Sequence, residues 1–175
     1  MYKRQVLIPD SRFNDTDLKL FTGDFIEDGE RTIIFVGLVG SEAAGPPSGS
    51  ATWTGEGFAN IFNEDLTTDV VTGTALVTAN AAGEIHAELN ALSGDTDLID
   101  RIRFDDVGVS GTSFRSTSIT TEKDGSTIDV VGPNSVGEVA GIFSGATLDS
   151  APDEVGGLFT LTGDNATLVG GFVAD

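Results

Sequence analysis

Glu84-Ile85-His86-Ala87-Glu88-Leu89-Asn90-Ala91-Leu92 decides the fold class. Ile85, Ala87, Leu89 and Ala91 fall on one side of an extended chain, and Glu84, His86, Glu88 and Asn90 on the other. A strict period of two is the pattern of a strand with one buried and one wet face. His86, the only histidine, belongs to the polar face. Similar runs recur throughout the chain, and helical periodicity is nearly absent. Strands are expected at about 32–39, 50–62, 69–79, 84–92, 98–108, 112–121, 126–131, 137–143, 157–163 and 167–173, with ends uncertain by ~2–4 residues. Turn clusters separate them: Gly45-Pro46-Pro47-Ser48-Gly49, Ala82-Gly83, Ser93-Gly94-Asp95, Lys123-Asp124-Gly125, Gly132-Pro133-Asn134 and Gly163-Asp164-Asn165. Strands repeated at about 8–12 residues predict an antiparallel sandwich or barrel. Between Val6 and Phe25 no clean period appears.

The chain has 175 residues with 28 Asp+Glu against 9 Lys+Arg, a formal net charge of -19 and no cysteine. That length suits one domain with a full-sized core. The absence of cysteine excludes disulfides, thiolate catalysis and Cys-type metal sites. A single histidine excludes His-cluster metal sites. A surface this acidic repels phosphate backbones and anionic lipid, so nucleic acid is not an expected partner. No Lys or Arg occurs between Thr32 and Asp100, or from Asp124 to Asp175. Such an excess, spread over the whole chain, reads as adaptation to salty water or as solubility through self-repulsion. The sharper alternative is an acidic face for a basic partner or for cations.

Met1-Tyr2-Lys3-Arg4-Gln5 resembles the translation of a sequencing adapter. On that reading the segment is non-native, the gene is a truncated metagenomic fragment, and any signal sequence lies upstream. The alternative is an ordinary charged lead-in to a strand. No run reaches the roughly 18 apolar residues of a membrane helix.

Catalytic patterns find little support. Gly141-Ile142-Phe143-Ser144-Gly145 has the wrong spacing for a nucleophile elbow. Any Ser–His–Asp triad would have to use His86. Glu64/Asp65, Asp105/Asp106 and Asp153/Glu154 are carboxylate pairs, but pairs are expected in so acidic a chain. Gly55-Glu56-Gly57 lacks the further glycine of a phosphate loop. Asp95-Thr96-Asp97 with Asp100, and Asp15 with Asp17, do not continue into a calcium-loop pattern, and read as turn formers. No catalytic, metal or cofactor residue is assigned. The basic residues stand out more: four of the seven beyond Gln5 lie within 101–123. If 98–108 and 112–121 form a hairpin, Arg101, Arg103 and Arg115 occupy neighbouring strands. They are the candidate ligand-binding residues, as an anion or carboxylate site. The competing and preferred reading is a cross-strand ion-pair ladder with Asp105, Asp106 or Glu122.

The last third of the chain carries a recognisable pattern. Gly141-Ile142-Phe143-Ser144-Gly145 is followed by Ala151-Pro152-Asp153-Glu154-Val155-Gly156-Gly157-Leu158-Phe159, and the chain closes with Val169-Gly170-Gly171-Phe172-Val173. This resembles the ending of the transferrin-binding-protein B β-barrel family. Gly49-Ser50-Ala51-Thr52-Trp53-Thr54-Gly55 resembles that family's opening into the barrel. The resemblance covers about 32–175. One departure is the inserted Ala146–Ser150, which puts the register of that connection in doubt. For the all-β fold the resemblance implies an eight-stranded antiparallel up-and-down barrel over 32–175; the aperiodic start, with Asp10, Asn14, Asp15 and Asp17, reads as an irregular N-terminal arm over 1–31. It also implies a secreted or lipid-anchored protein at a bacterial surface. Family members bind carriers such as transferrin, complement regulator and haem through variable loops, so no binding residue carries over. Gly141, Gly145, Gly156, Gly157, Gly170 and Gly171 are expected to permit turns or close packing. Phe143, Phe159 and Phe172 are expected to fill the lumen, with Glu154 as a further motif position.

The expected function is non-enzymatic: a surface or secreted binding barrel, monomeric, recognising a protein or small-molecule ligand through its loops. A haem or small-ligand carrier is the alternative. His86 points to the wet face, and the only Met and Tyr lie in the first five residues, so no cofactor is expected. An outer-membrane barrel is disfavoured by the lack of a double aromatic girdle and by the terminal Asp175.

Overall fold

The computed structural model describes residues 2–7, 19–27, 30–39, 43, 45–65, 67–145 and 152–175. Thirteen strands appear among them. β1 (Tyr2–Leu7), β2 (Lys19–Glu27) and β3 (Glu30–Val39) form a three-stranded antiparallel sheet in the order β1-β2-β3. The run expected at 32–39 therefore pairs with β2 and not with a barrel strand. The segment read as an irregular arm holds β1 and β2, and Tyr2 to Gln5 lie within β1. Asp15 and Asp17 lie outside the described residues.

The barrel is built from β4 (Ala51–Asn63), β5 (Thr68–Ala79), β6 (Ile85–Gly94), β7 (Arg101–Ser110), β8 (Ser113–Ser116), β11 (Val136–Ser144), β12 (Glu154–Thr162) and β13 (Ala166–Ala174). Each is antiparallel to its neighbours, and the ring runs β4-β5-β6-β7-β8-β11-β12-β13 and back to β4. This is the eight-stranded up-and-down barrel, every pairing joining neighbours in chain order except β8–β11, between which two further strands intervene, and the final closure of β13 on β4. Closure leaves none of these strands at the edge of the sheet, although β8 covers β11 only over Val139–Ile142.

The expected strand at 112–121 is broken. β8 ends at Ser116, and β9 (Ser118–Lys123) continues along β7. β8 faces β11 on its other side, whereas β9 turns off to pair with β10 (Ser126–Ile128). Lys123 pairs with Ser126 across a two-residue turn in which Asp124 and Gly125 have φ of 51° and 74°. Two successive positive φ values are the requirement of a type I′ turn, which Asp-Gly meets at least cost.

Two bulges correct the simple alternation. Ala91 has φ 51°, and the β5–β6 register shifts there. Ala91, expected inside with Leu89, is exposed, and Leu92 takes the buried place. One extra residue in a strand moves everything beyond it to the opposite face. Asp106, with φ 52°, does the same in β7, so Val107 and Val109 follow Ile102 and Phe104 inward.

Rings fill the lumen. Phe104, Phe143, Phe159 and Phe172 are among the most deeply buried side chains. Trp53 touches Phe143 at 5.8 Å between centroids, Phe143 touches Phe114 at 5.5 Å, and Phe104 touches Phe172 and Phe159 at 5.7 and 5.2 Å. Phe114 and Phe172 stack at 6.3 Å. The motif glycines make room for these rings. Gly157 lies opposite Phe172, Gly170 opposite Phe159, and Gly141 opposite Phe114. A Cβ on Gly157 would come within 2.7 Å of the Phe172 ring, and a Cβ on Gly141 or Gly170 would collide with the ring across from it. Each pair is thus a phenylalanine laid across a glycine of the neighbouring strand. Gly156 and Gly171 are buried on the outer side of the same strands, where β3 approaches β12 and β13. The β11–β12 register is unbroken from Val136↔Thr162 to Ser144↔Glu154, and Asp153 N donates to Ser144 O at 3.1 Å. Residues 146–151 lie outside the described residues.

Candidate binding surfaces of the barrel

The strand directions sort the connections to two ends. At one end emerge the links β4–β5, β6–β7, β9–β10, β10–β11 and β12–β13. Glu64, Asp65, Asp95, Asp97, Asp124, Asp129 and Asp164 are exposed there. Backbone bonds tie the links together: Glu64 N to Asn165 O at 3.3 Å, Asp164 N to Pro133 O at 3.2 Å, and Asn165 N to Val131 O at 2.8 Å. Asp124 N donates to Asp100 Oδ2 at 2.7 Å, and Asp95 exchanges two bonds with the Val70 backbone. Asp95 and Asp100 thus tie their loop to neighbouring links, and within the loop Leu98 N donates to Thr96 Oγ1 at 3.3 Å. Thr67 donates its hydroxyl and its amide to Asp65, and these two bonds hold the Asp65 carboxyl below its ordinary value.

The same end presents the exposed large apolar residues of the described chain: Val70, Leu98 and Val136. Sequence reasoning passed over all three. Val70 and Val136 sit on the outward phase of strands whose next residue points in, a signal that alternation could have supplied. Leu98 stands in a loop, where periodicity says nothing. His86 is exposed on the outer wall, paired across to Thr78, as the alternation requires.

Arg101 and Arg103 point outward from β7 and converge on one acid. Glu122 on β9 is buried, and its two carboxylate oxygens take Arg101 at 3.2 Å and Arg103 at 2.7 Å. Arg101 Nε also donates to Asn90 Oδ1 at 2.7 Å, and Arg103 Nε donates to Asp105 Oδ1 at 2.8 Å. Thr120 donates to the other Asp105 oxygen at 3.1 Å. Asp105, and after it Glu122 and Glu88, raise the Arg103 pKa above its ordinary value. This is the cross-strand ladder; each guanidinium already holds a carboxylate. Arg115 is not part of it. Its register partners are Gly108 and Ala140, beyond the Asp106 bulge, and its Nε lies 3.0 Å from Glu138 Oε1. The hairpin places the three arginines on neighbouring strands but divides them into two sites.

No protein-family model matches the chain, and no curated protein matches it in sequence. Solved structures do match in fold. Transferrin binding protein B of Haemophilus parasuis, a double-substituted vaccine antigen, superposes with a TM-score of 0.64 at 16% identity over 93% of this chain. The isotype 1 protein of serogroup B Neisseria meningitidis gives 0.56 at 14% over 99%, and intact Ap-TbpB, with its N and C lobes, gives 0.55 at 14% over 99%. The chain spans about a third of each: 33%, 34% and 37%. The barrel fold is thus that of transferrin binding protein B.

Proposed function

We propose that the chain is a binding barrel of a bacterial surface or secreted protein, without enzymatic activity, that engages a protein partner through its acid-rich end. The carrying observation is the coincidence, at one end, of exposed Val70, Leu98 and Val136 with a ring of carboxylates. Apolar side chains in a charged rim supply contact area, and the carboxylates select a basic partner surface and speed its approach. The lumen supports this reading from the other side, because packed rings occupy the space a small ligand would need. The matched structures, which bear the name of a transferrin-binding protein, support a protein partner as the class. Export to the surface follows the same likeness.

The test is biolayer interferometry against an array of purified host serum proteins, transferrin among them, at low and at 0.5 M salt, about a fivefold rise over low-salt conditions. Saturable binding to a basic-surfaced protein is expected, weakened by salt and lost in the Leu98→Ser/Val136→Ser variant. Binding that ignores both salt and the rim variant, or no binding to any member, overturns the proposal.

A further inference from the structure

A groove of about 520 Å³ crosses the outer wall where β7, β8, β11 and β12 run side by side. Its two flanks differ in chemistry. On one stand Arg115, Ser110 and Ser113; on the other stand Ala140, Ile142 and Leu158. The depth has a cause in the register. Arg115 lies between Gly108 on β7 and Ala140 on β11, so the wall is low on both sides of the long Arg115 side chain. Ile142 and Leu158 are only partly buried, although they are outward-facing and aliphatic. The size falls within the roughly 300–1,000 Å³ of small-molecule sites, which combine apolar lining with a few convergent polar groups.

The charge on the polar flank sets the ligand. Arg115 is a cation on a chain of net charge -19. Its ion pair joins side chains 70% and 49% exposed, so solvent screens it and an incoming anion competes on easy terms. The pair uses Nε, and a guanidinium offers further donors in a planar fork suited to a carboxylate. We propose that this groove binds a long-chain aliphatic carboxylate, its head on Arg115 and its chain along Ala140, Ile142 and Leu158. The site is separate from the acid-rich end and does not depend on the protein partner proposed there.

The probe is dansylaminoundecanoic acid, titrated into the whole chain while its fluorescence is followed. One saturable site is expected, and dodecanoate should displace the probe better than dodecanol, which has the chain without the charge. Ile142→Glu should weaken binding at least about tenfold, since it puts a carboxylate in the path of the chain. Arg115→Ala alters an exposed side chain and leaves the fold intact; it should weaken dodecanoate about tenfold and leave dodecanol unchanged. Non-saturable binding, equal displacement by acid and alcohol, or affinity indifferent to both substitutions overturns the proposal. So does association only with phosphatidylglycerol vesicles and not with the free probe, which would assign the groove to a membrane surface.

Discussion

The barrel closes through two unequal seams. On one side β13 lies between β12 and β4 with eight register pairs to the first and nine to the second. On the other, β8 is joined to β7 by three pairs and to β11 by four. The long seam is held by its backbone ladder and by Phe172, which lies between Gly157 and Gly57 on the two neighbouring strands. The short seam has little ladder. It depends on Phe114 across Gly141, on the Ser116 hydroxyl bonded to Asp105 O, and on the Phe143 N to Thr112 O bond of 2.8 Å. Below it, where β9 has replaced β8 against β7, Glu122 clamps Arg101 and Arg103. Closure therefore does not require equal strands. A short strand suffices when an inward ring reaches across to the packing of the long seam, as Phe114 does by stacking on Phe172.

Phe172→Ala strikes the point where the seams meet and should cost the most, about 3–5 kcal/mol in urea unfolding, because it leaves a cavity among rings that cannot collapse into it. A loss of less than half that would mean that the ladder alone holds the long seam. Phe114→Ala should cost somewhat less, toward ~3 kcal/mol, and should be local. Hydrogen exchange should rise in Ser113–Ser116 while Ala166–Ala174 keeps its protection. Equal loss in both strands would erase the distinction between the seams.

Glu122→Ala removes the clamp under the short seam. The two arginines are 43% exposed and can turn to water, so the expected cost is about 1–2 kcal/mol rather than that of a fully buried pair. A neutral result would show that β9 adds nothing to closure. Salt should act on the whole molecule. At about 1 M the Debye length is ~3 Å, which damps the repulsion among the acids, and the melting temperature should rise. A fall would show that the ladder outweighs the repulsion.

The smallest effect belongs to the β4–β5 turn beside the long seam. The folded Asp65 carboxyl is held below its unfolded value, so its contribution is complete above about pH 4 and fades as pH falls through the folded value. Residue-resolved NMR titration should show this, and Thr67→Ala should move the Asp65 titration back up. An unmoved midpoint would assign the shift to something other than the Thr67 bonds.

Alternation along 84–92 and its counterparts is a local property, dictated by which side chains can leave water together, and without any partner being known it placed seven of the barrel strands, while running the eighth, β8, together with β9 and counting β3 with the barrel. The glycine and phenylalanine spacing of the last third was legible too, as a likeness and as a supply of large rings and absent side chains. What the rings do with that space became visible only when β8, β11, β12 and β13 lay side by side and Phe114, Phe159 and Phe172 each met a glycine. The bulges at Ala91 and Asp106 escaped the linear reading, because either residue fits a regular strand and only the pairing with β5, β6 and β8 demands an extra one. The same holds for the arginines. Arg101, Arg103 and Arg115 look alike along the chain, and an ion-pair ladder was foreseeable. It took the break after Ser116 to give two of them to Glu122 and leave the third over an apolar groove. Local patterning is set by solvent and so is carried by the sequence; partnership across strands is set by closure of the whole ring, and so belongs to the tertiary structure.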